Sequence, residues 1–156
     1  IDPAVTAKKN SDETGIVVVG RDALGDYYVL EDISGRYTPD KWARIAIDAY
    51  YDWNADRIVA EVNNGGDLVE RLLRSIDNTI PYRSVHATRG KILRAEPISA
   101  LYEQKRVHHI GVFDELESQM CTYTGEGQSS PDRLDALVWG LTELNKSTGN
   151  ASWRIS

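Results

Sequence analysis

Arg57-Ile58-Val59-Ala60-Glu61-Val62, followed at once by Asn63-Asn64-Gly65-Gly66, is the stretch that decides the fold. A short apolar run bounded by turn residues reads as a strand, and Asn-Asn-Gly-Gly reads as a turn. Beyond the turn, Leu68, Val69, Leu72, Leu73 and Ile76 recur at helical spacing. Strand, turn and amphipathic helix in that order predict a parallel crossover and an α/β class. Within the strand, Glu61 stands among Ile58, Val59, Ala60 and Val62. Acids are depleted in strands, and a buried one needs a partner or a metal.

The pattern continues on both sides of this unit. Downstream, Tyr82 to His86 reads as the next strand, and Lys91 to Gln104 as a helix interrupted near Pro97. Val107 to Ile110 reads as a short extended piece and Asp114 to Tyr123 as a helix that places Cys121, beside Met120, in the core. The last helix has Ser130 as its cap, Pro131 at its first position and Asp132 in its first turn. Leu134, Leu137, Val138, Leu141 and Leu144 form its apolar stripe. Upstream, Thr38-Pro39-Asp40 opens a helix that carries Trp42, Ile45, Ala46 and Ala49 and runs to about Asn54. Before it, Thr14 to Gly20 reads as a strand buried on both faces, Asp22 to Asp26 as a turn and Tyr27 to Ile33 as the returning strand of a hairpin. Antiparallel strands first and parallel crossovers later predict a mixed sheet. Residues 1–145 read as one domain and 146–156 as a polar tail that could dock through Trp153.

Composition bounds the function. A chain of 156 residues is one domain on the usual prior and buries about 70% of its unfolded surface without disulfides or a structural metal. One cysteine excludes an internal disulfide framework and a Cys-rich zinc site, and fits a reducing setting. No apolar run of the roughly 18 residues needed for a membrane span occurs, and no signal peptide is visible. Eighteen Lys and Arg against 24 Asp and Glu give a net charge of −6, which argues against a stand-alone nucleic-acid binder. The exception is a carboxylate site that holds divalent cations, acidic in sequence and positive once loaded.

Four acids fit that exception: Asp2, Glu61, Asp132 and Asp135. Sites of open α/β sheets form beyond the carboxyl ends of strands, where Asp2 and Glu61 fall. Asp132 and Asp135, three apart on one flank of the last helix, could cover the same point. Oxygen-only ligands suit Mg²⁺ or Mn²⁺. Two such ions, about 3.5–4 Å apart, can clamp the attacking and leaving oxygens of a phosphoryl transfer. Each acid also has a plain structural reading. Asp132 could simply complement the helix dipole, Asp135 could be solvated, and Asp2 could be a terminal residue with no role.

Other candidates are weaker. His108 and His109 are adjacent and point to opposite faces of a strand, and His86 is isolated. No glycine-rich phosphate loop occurs, so no ATP or dinucleotide site is expected. The run from His86 to Arg94, with Arg89, Lys91 and Arg94, is a basic patch, and Lys8-Lys9 is another. Cations at a helix start oppose the dipole. Phosphate positioning explains them, as does a solvated surface.

Asp2-Pro3-Ala4, Asp12-Glu13-Thr14-Gly15, Glu61 to Gly66, Arg89 to Pro97 and Asp132-Arg133-Leu134-Asp135-Ala136-Leu137 together resemble the C-terminal nuclease domain of phage terminase large subunits. The resemblance covers nearly the whole chain, in order. It implies an RNase H-like fold with a central five-stranded mixed sheet flanked by helices. It implies Mg²⁺- or Mn²⁺-dependent cleavage of double-stranded, concatemeric viral DNA around packaging, in a viral packaging complex in the host cytoplasm. By the family motif, Asp2, Glu61 and Asp132 would be the catalytic acids, with Asp135 and Asp12 as auxiliary metal ligands or as groups that hydrogen-bond the ligands from just outside. Lys91, Arg89, Arg94, Lys8 and Lys9 would contact DNA. The packaging ATPase domain, the small terminase subunit and the portal would be partners, and could supply most of the DNA affinity. The chain carries no ATPase of its own, and only Ile1 stands before Asp2, so a loosely held Asp2 is expected. Two other readings compete: a Holliday-junction resolvase or transposase-like nuclease of the same fold, and a non-catalytic packaging module whose acids are surface charges and which could dimerise through Trp42 or Trp153.

Overall fold

The computed structural model describes residues 1–3, 13–62, 67–87, 91–125 and 131–146, with the side chains of 67, 91 and 92 outside that description. The hairpin forms as expected. Strand β1 (Val17–Arg21) pairs antiparallel with β2 (Tyr27–Asp32), with a register shift between Val18 and Val19. Asp22 makes the turn, its Oδ1 accepting from Leu24 N at 3.0 Å and Asp26 N at 2.9 Å. Gly25 supplies the left-handed residue at φ 91°. The expectation that the first strand is buried on both faces holds only for its start: Thr14, Gly15 and Ile16 are buried but precede β1, whose five residues are half-buried.

Helix α1 (Pro39–Asp52) starts where the Thr38-Pro39 signal puts it, with Thr38 Oγ1 accepting from Lys41 N. The deciding stretch then folds as β3 (Ile58–Glu61) and α2 (Asp67–Ile76), and β4 (Tyr82–Val85) returns parallel to β3. Helix α3 (Lys91–Glu103) leads into β5 (Val107–His109), which lies parallel to β2. Helices α4 (Asp114–Thr122) and α5 (Asp132–Lys146) close the chain.

Three expectations change here. Helix α3 is continuous through Pro97. Pro97 faces solvent, and Leu93, whose carbonyl loses its helical donor, is itself exposed, so water can replace the missing bond. Cys121 is exposed rather than in the core. Helix α4 buries only Leu116, and Cys121, five residues on, lies well off that face. Helix α5 starts at Asp132, one residue after Pro131, whose carbonyl accepts from Asp135 N at 3.0 Å. The expected cap, Ser130, lies outside the described residues, as does the turn over 63–66.

The single five-stranded sheet implied by the resemblance does not form as one ladder. The strands make a three-stranded sheet, β1-β2-β5, and a two-stranded sheet, β3-β4. What joins them is Ile1-Asp2. Ile1 N donates to Val59 O at 2.7 Å and Glu61 N donates to Ile1 O at 3.0 Å. Asp2 and Gly15 exchange both backbone hydrogen bonds, at 2.8 and 3.0 Å. Two residues are too few to count as a strand, yet they hydrogen-bond to β3 on one side and, on the other, to Gly15 in the segment that leads into β1. Asp2 is therefore held by Gly15 through its own backbone and by β3 through its neighbour Ile1, against the expectation that it is loosely held.

Each sheet has its own core. Trp42, Ala43, Ile58, Ala60, Val69 and Leu73 fill the space between β3 and helices α1 and α2. Tyr27, Val29, Leu101, Leu116, Leu137 and Leu141 fill that between β2 and helices α3, α4 and α5. Trp42 is buried in the first of these and so is not available as a dimer contact. No helix among the described residues is long and apolar enough to cross a membrane.

Candidate metal centre

Glu61 is the last residue of β3, and Asp2 is hydrogen-bonded beside it through the Ile1 carbonyl. Both acids thus stand at the carboxyl end of the strand that the sequence marks out. Helix α5 reaches the same point because of Gly15. A Cβ on Gly15 would fall 2.1 Å from the Asp132 carbonyl oxygen and 3.0 Å from Ala136 Cβ. Only a residue with no side chain lets the first turn of α5 lie on the backbone that pairs with Asp2.

This approach brings three carboxylates together. One oxygen each from Asp2, Glu61 and Asp135 lie within 4.8 Å of one another. Glu61 is 8% exposed and Asp135 5%. The Asp2 carboxyl is pushed up to about 7, first by burial and then by the negative charges of Glu61, Asp135 and Asp132. Buried acids converging in this way repel unless a cation stands between them. Three hard oxygen donors around one point fit Mg²⁺ or Mn²⁺.

The structure sorts the sequence candidates. Asp135, expected as an auxiliary ligand, is inside the three-acid group. Asp132, expected as the third acid, lies close enough for its charge to raise Asp2, but its carboxylate is outside the group among the described residues. Asp132 and Asp135 share one flank of α5, and Asp135 lies one turn closer along the helix to Trp139. Asp135 and Trp139 are four apart and share the face of α5 turned toward Glu61, and Trp139 Nε1 donates to Glu61 Oε2 at 2.8 Å. Asp12, Lys8, Lys9 and Arg89 lie outside the described residues, and the backbone of Lys91 opens α3. Arg94, expected to meet DNA, is turned inward: its side chain is 9% exposed, with Nη1 3.7 Å from Glu61 Oε1.

Arg133 secures the start of α5 and carries no sequence signal beyond its place between the two aspartates. It is buried, and its guanidinium reaches Asp32 Oδ2 at 2.8 Å and Glu13 Oε2 at 3.2 Å, with Glu115 as a third partner. It ties the helix bearing Asp132 and Asp135 to β2 and α4. The histidines are engaged elsewhere. His109 Nδ1 pairs with Glu117 Oε1 at 2.9 Å and its Nε2 with the Tyr102 hydroxyl at 2.7 Å, while His108 faces Asp26 on the other side.

With this geometry in hand, the chain matches one family model, described as the terminase RNaseH-like domain, over residues 1–144. Comparison with curated proteins gives no match.

Proposed function

The chain belongs to the terminase RNase H-like domain family, a nuclease fold with a role in packaging, and from that premise we propose that it is a divalent-metal-dependent endonuclease that cuts concatemeric double-stranded viral DNA. The observation that carries the proposal is the convergence of Asp2, Glu61 and Asp135 at the carboxyl end of β3. These three would hold Mg²⁺ or Mn²⁺, and by the family motif Asp132 and Asp12 would be candidates for a second ion. When bound, divalent ions at such a site activate water for attack on phosphorus and stabilise the leaving 3′ oxygen.

The chain's own residues supply position and charge. Backbone pairing with Gly15 fixes Asp2, and Trp139 fixes one oxygen of Glu61. Burial and then repulsion raise the Asp2 carboxyl, and a cation is favoured because loading relieves the repulsion. Lys91 and Arg89, with Lys8 and Lys9, would contact the DNA phosphates. With a net charge of −6, the domain would depend on a packaging ATPase domain, the small terminase subunit and the portal for most of its grip on DNA. It would work with them in the host cytoplasm.

Supercoiled plasmid incubated with the chain and Mn²⁺ tests this reading. Nicked and linear products are expected, and both should vanish with EDTA or in Asp2→Ala. Cutting confined to four-way junctions would replace the terminase reading with a resolvase one. A chain that neither cuts nor binds metal would be a non-catalytic module.

A further inference from the structure

Two side chains absent from the expected ligand set converge on Glu61. Trp139 Nε1 donates to Oε2 at 2.8 Å. Arg94 Cζ sits 4.4 Å from the centroid of the same indole, with Nη1 3.7 Å from Oε1. That separation is an ion pair without a hydrogen bond. Nε and Nη1 of Arg94 are buried with no hydrogen-bond partner among the described residues. A guanidinium buried with donors unmade is costly. Two things offset the cost: the face of Trp139 and the negative charge of the acids beside it.

The two contacts act on different oxygens and in different ways. The indole hydrogen bond is directional and adds no charge, so it orients Glu61 whether or not a cation is present. The Arg94 contact is charge on charge, so a divalent cation drawn to Glu61 meets it as a competitor. We propose that Trp139 is the positioning residue of Glu61, and that Arg94, carried on the same indole, is a resident positive charge that a divalent cation must outcompete. The pair then sets the cation concentration at which the site loads. This inference rests on the metal-nuclease reading in taking Glu61 as a ligand.

The two residues touch, yet their loss should have opposite signs. Trp139→Phe keeps a ring beneath Arg94 and removes the N–H, so Mn²⁺ affinity should fall by about tenfold to a hundredfold, the range for contacts that orient a metal ligand. Arg94→Gln removes the charge, so affinity should rise by about tenfold or more, the scale of like-charge repulsion near a partly buried site. Arg94→Lys restores the charge and should return affinity toward wild type.

Calorimetric Mn²⁺ titration of the chain and these three variants, at fixed ionic strength, makes the test. An NMR titration with Mg²⁺ adds a signature that needs no activity: the Trp139 indole N–H should stay hydrogen-bonded as the ion saturates. Wild-type binding with Arg94→Gln equal or weaker, or with Trp139→Phe unchanged, overturns the inference alone. So does an indole N–H that moves to a solvent-exposed position. Absence of saturable binding by the wild-type chain overturns the metal reading and the inference with it. If Trp139→Phe fails to fold, the Arg94 pair and the wild-type indole signal still decide.

Discussion

Gly15 lies against the backbone of Asp132 so closely that a methyl group on it would stand 2.1 Å from the Asp132 carbonyl oxygen. Gly15 is also the residue that pairs with Asp2. One glycine therefore sets the distance between the strand-borne acids and the helix-borne ones. Gly15→Ala should push α5 away, cost about 3 kcal/mol or more, the upper end for overpacking, and abolish stabilisation by Mn²⁺. Thermal melts with and without Mn²⁺ check both.

Asp135 and Asp132 should separate on substitution. Asp135 belongs to the three-acid group and Asp132 does not. Asp135→Asn should weaken Mn²⁺ binding by more than about 100-fold, beyond the range for outer contacts, and Asp132→Asn by about tenfold, within it. Parallel metal titrations of the two variants check this. The reverse order would return the third ligand to Asp132.

The raised Asp2 carboxyl gives a pH dependence with a definite sign. Its value is about 7 in the folded chain against 3.8 as the ordinary value, so between those limits the folded state binds more protons than the unfolded. Without metal, the folded state is favoured fully below about pH 4, and this advantage is lost as pH rises toward 7, a change of up to about 4 kcal/mol. Metal binding reverses the trend, because a cation takes the place of the proton. Denaturant melts from pH 4 to 6, below the range in which the Ile1 amine, lowered to about 6 by burial, titrates with the opposite sign, should show stability falling without metal. The increment added by saturating Mg²⁺ should grow over the same range.

Arg133 should matter for stability more than its neighbours. Its partner Asp32 is 5% exposed by side chain and also accepts from Ser34 Oγ at 2.6 Å. Arg133→Met strands that carboxylate in the interior and should cost about 3–5 kcal/mol. Arg44→Met removes an exposed pair with Asp40 and should cost less than about 1 kcal/mol. Chemical denaturation of both variants gives the comparison.

Lys91 tests the DNA path. Lys91→Ala should weaken binding to all duplex sequences alike and reduce the slope of log affinity against log salt by about 1. An unchanged slope would remove Lys91 from the path.

Much of this was legible in the sequence because it rests on local signals. Thr38-Pro39 marks the start of α1, Asp22 and Gly25 make the hairpin turn, and an acid inside an apolar strand singles out Glu61. Sheet connectivity was less legible. The join between the two sheets depends on four backbone hydrogen bonds made by Ile1 and Asp2, and backbone bonds leave no mark in side-chain pattern. Asp132 and Asp135 lie on one flank of α5, so which of them joins Asp2 and Glu61 turns on the level along the helix that meets the sheet. The four-residue spacing of Asp135 and Trp139 carried that information, but only alongside a reason to place Trp139 next to Glu61. The inward turn of Arg94 is not legible, because a basic run looks the same whether its members face DNA or a buried carboxylate.

The central claim is that Asp2, Glu61 and Asp135 form one cation site. A calorimetric titration of Mn²⁺ into the wild-type chain and into Asp2→Asn tests it most directly, since asparagine keeps the shape and the backbone pairing and removes the charge. The account predicts saturable binding by the wild type and its loss in the variant. Equal binding by both, or none by the wild type, would contradict it.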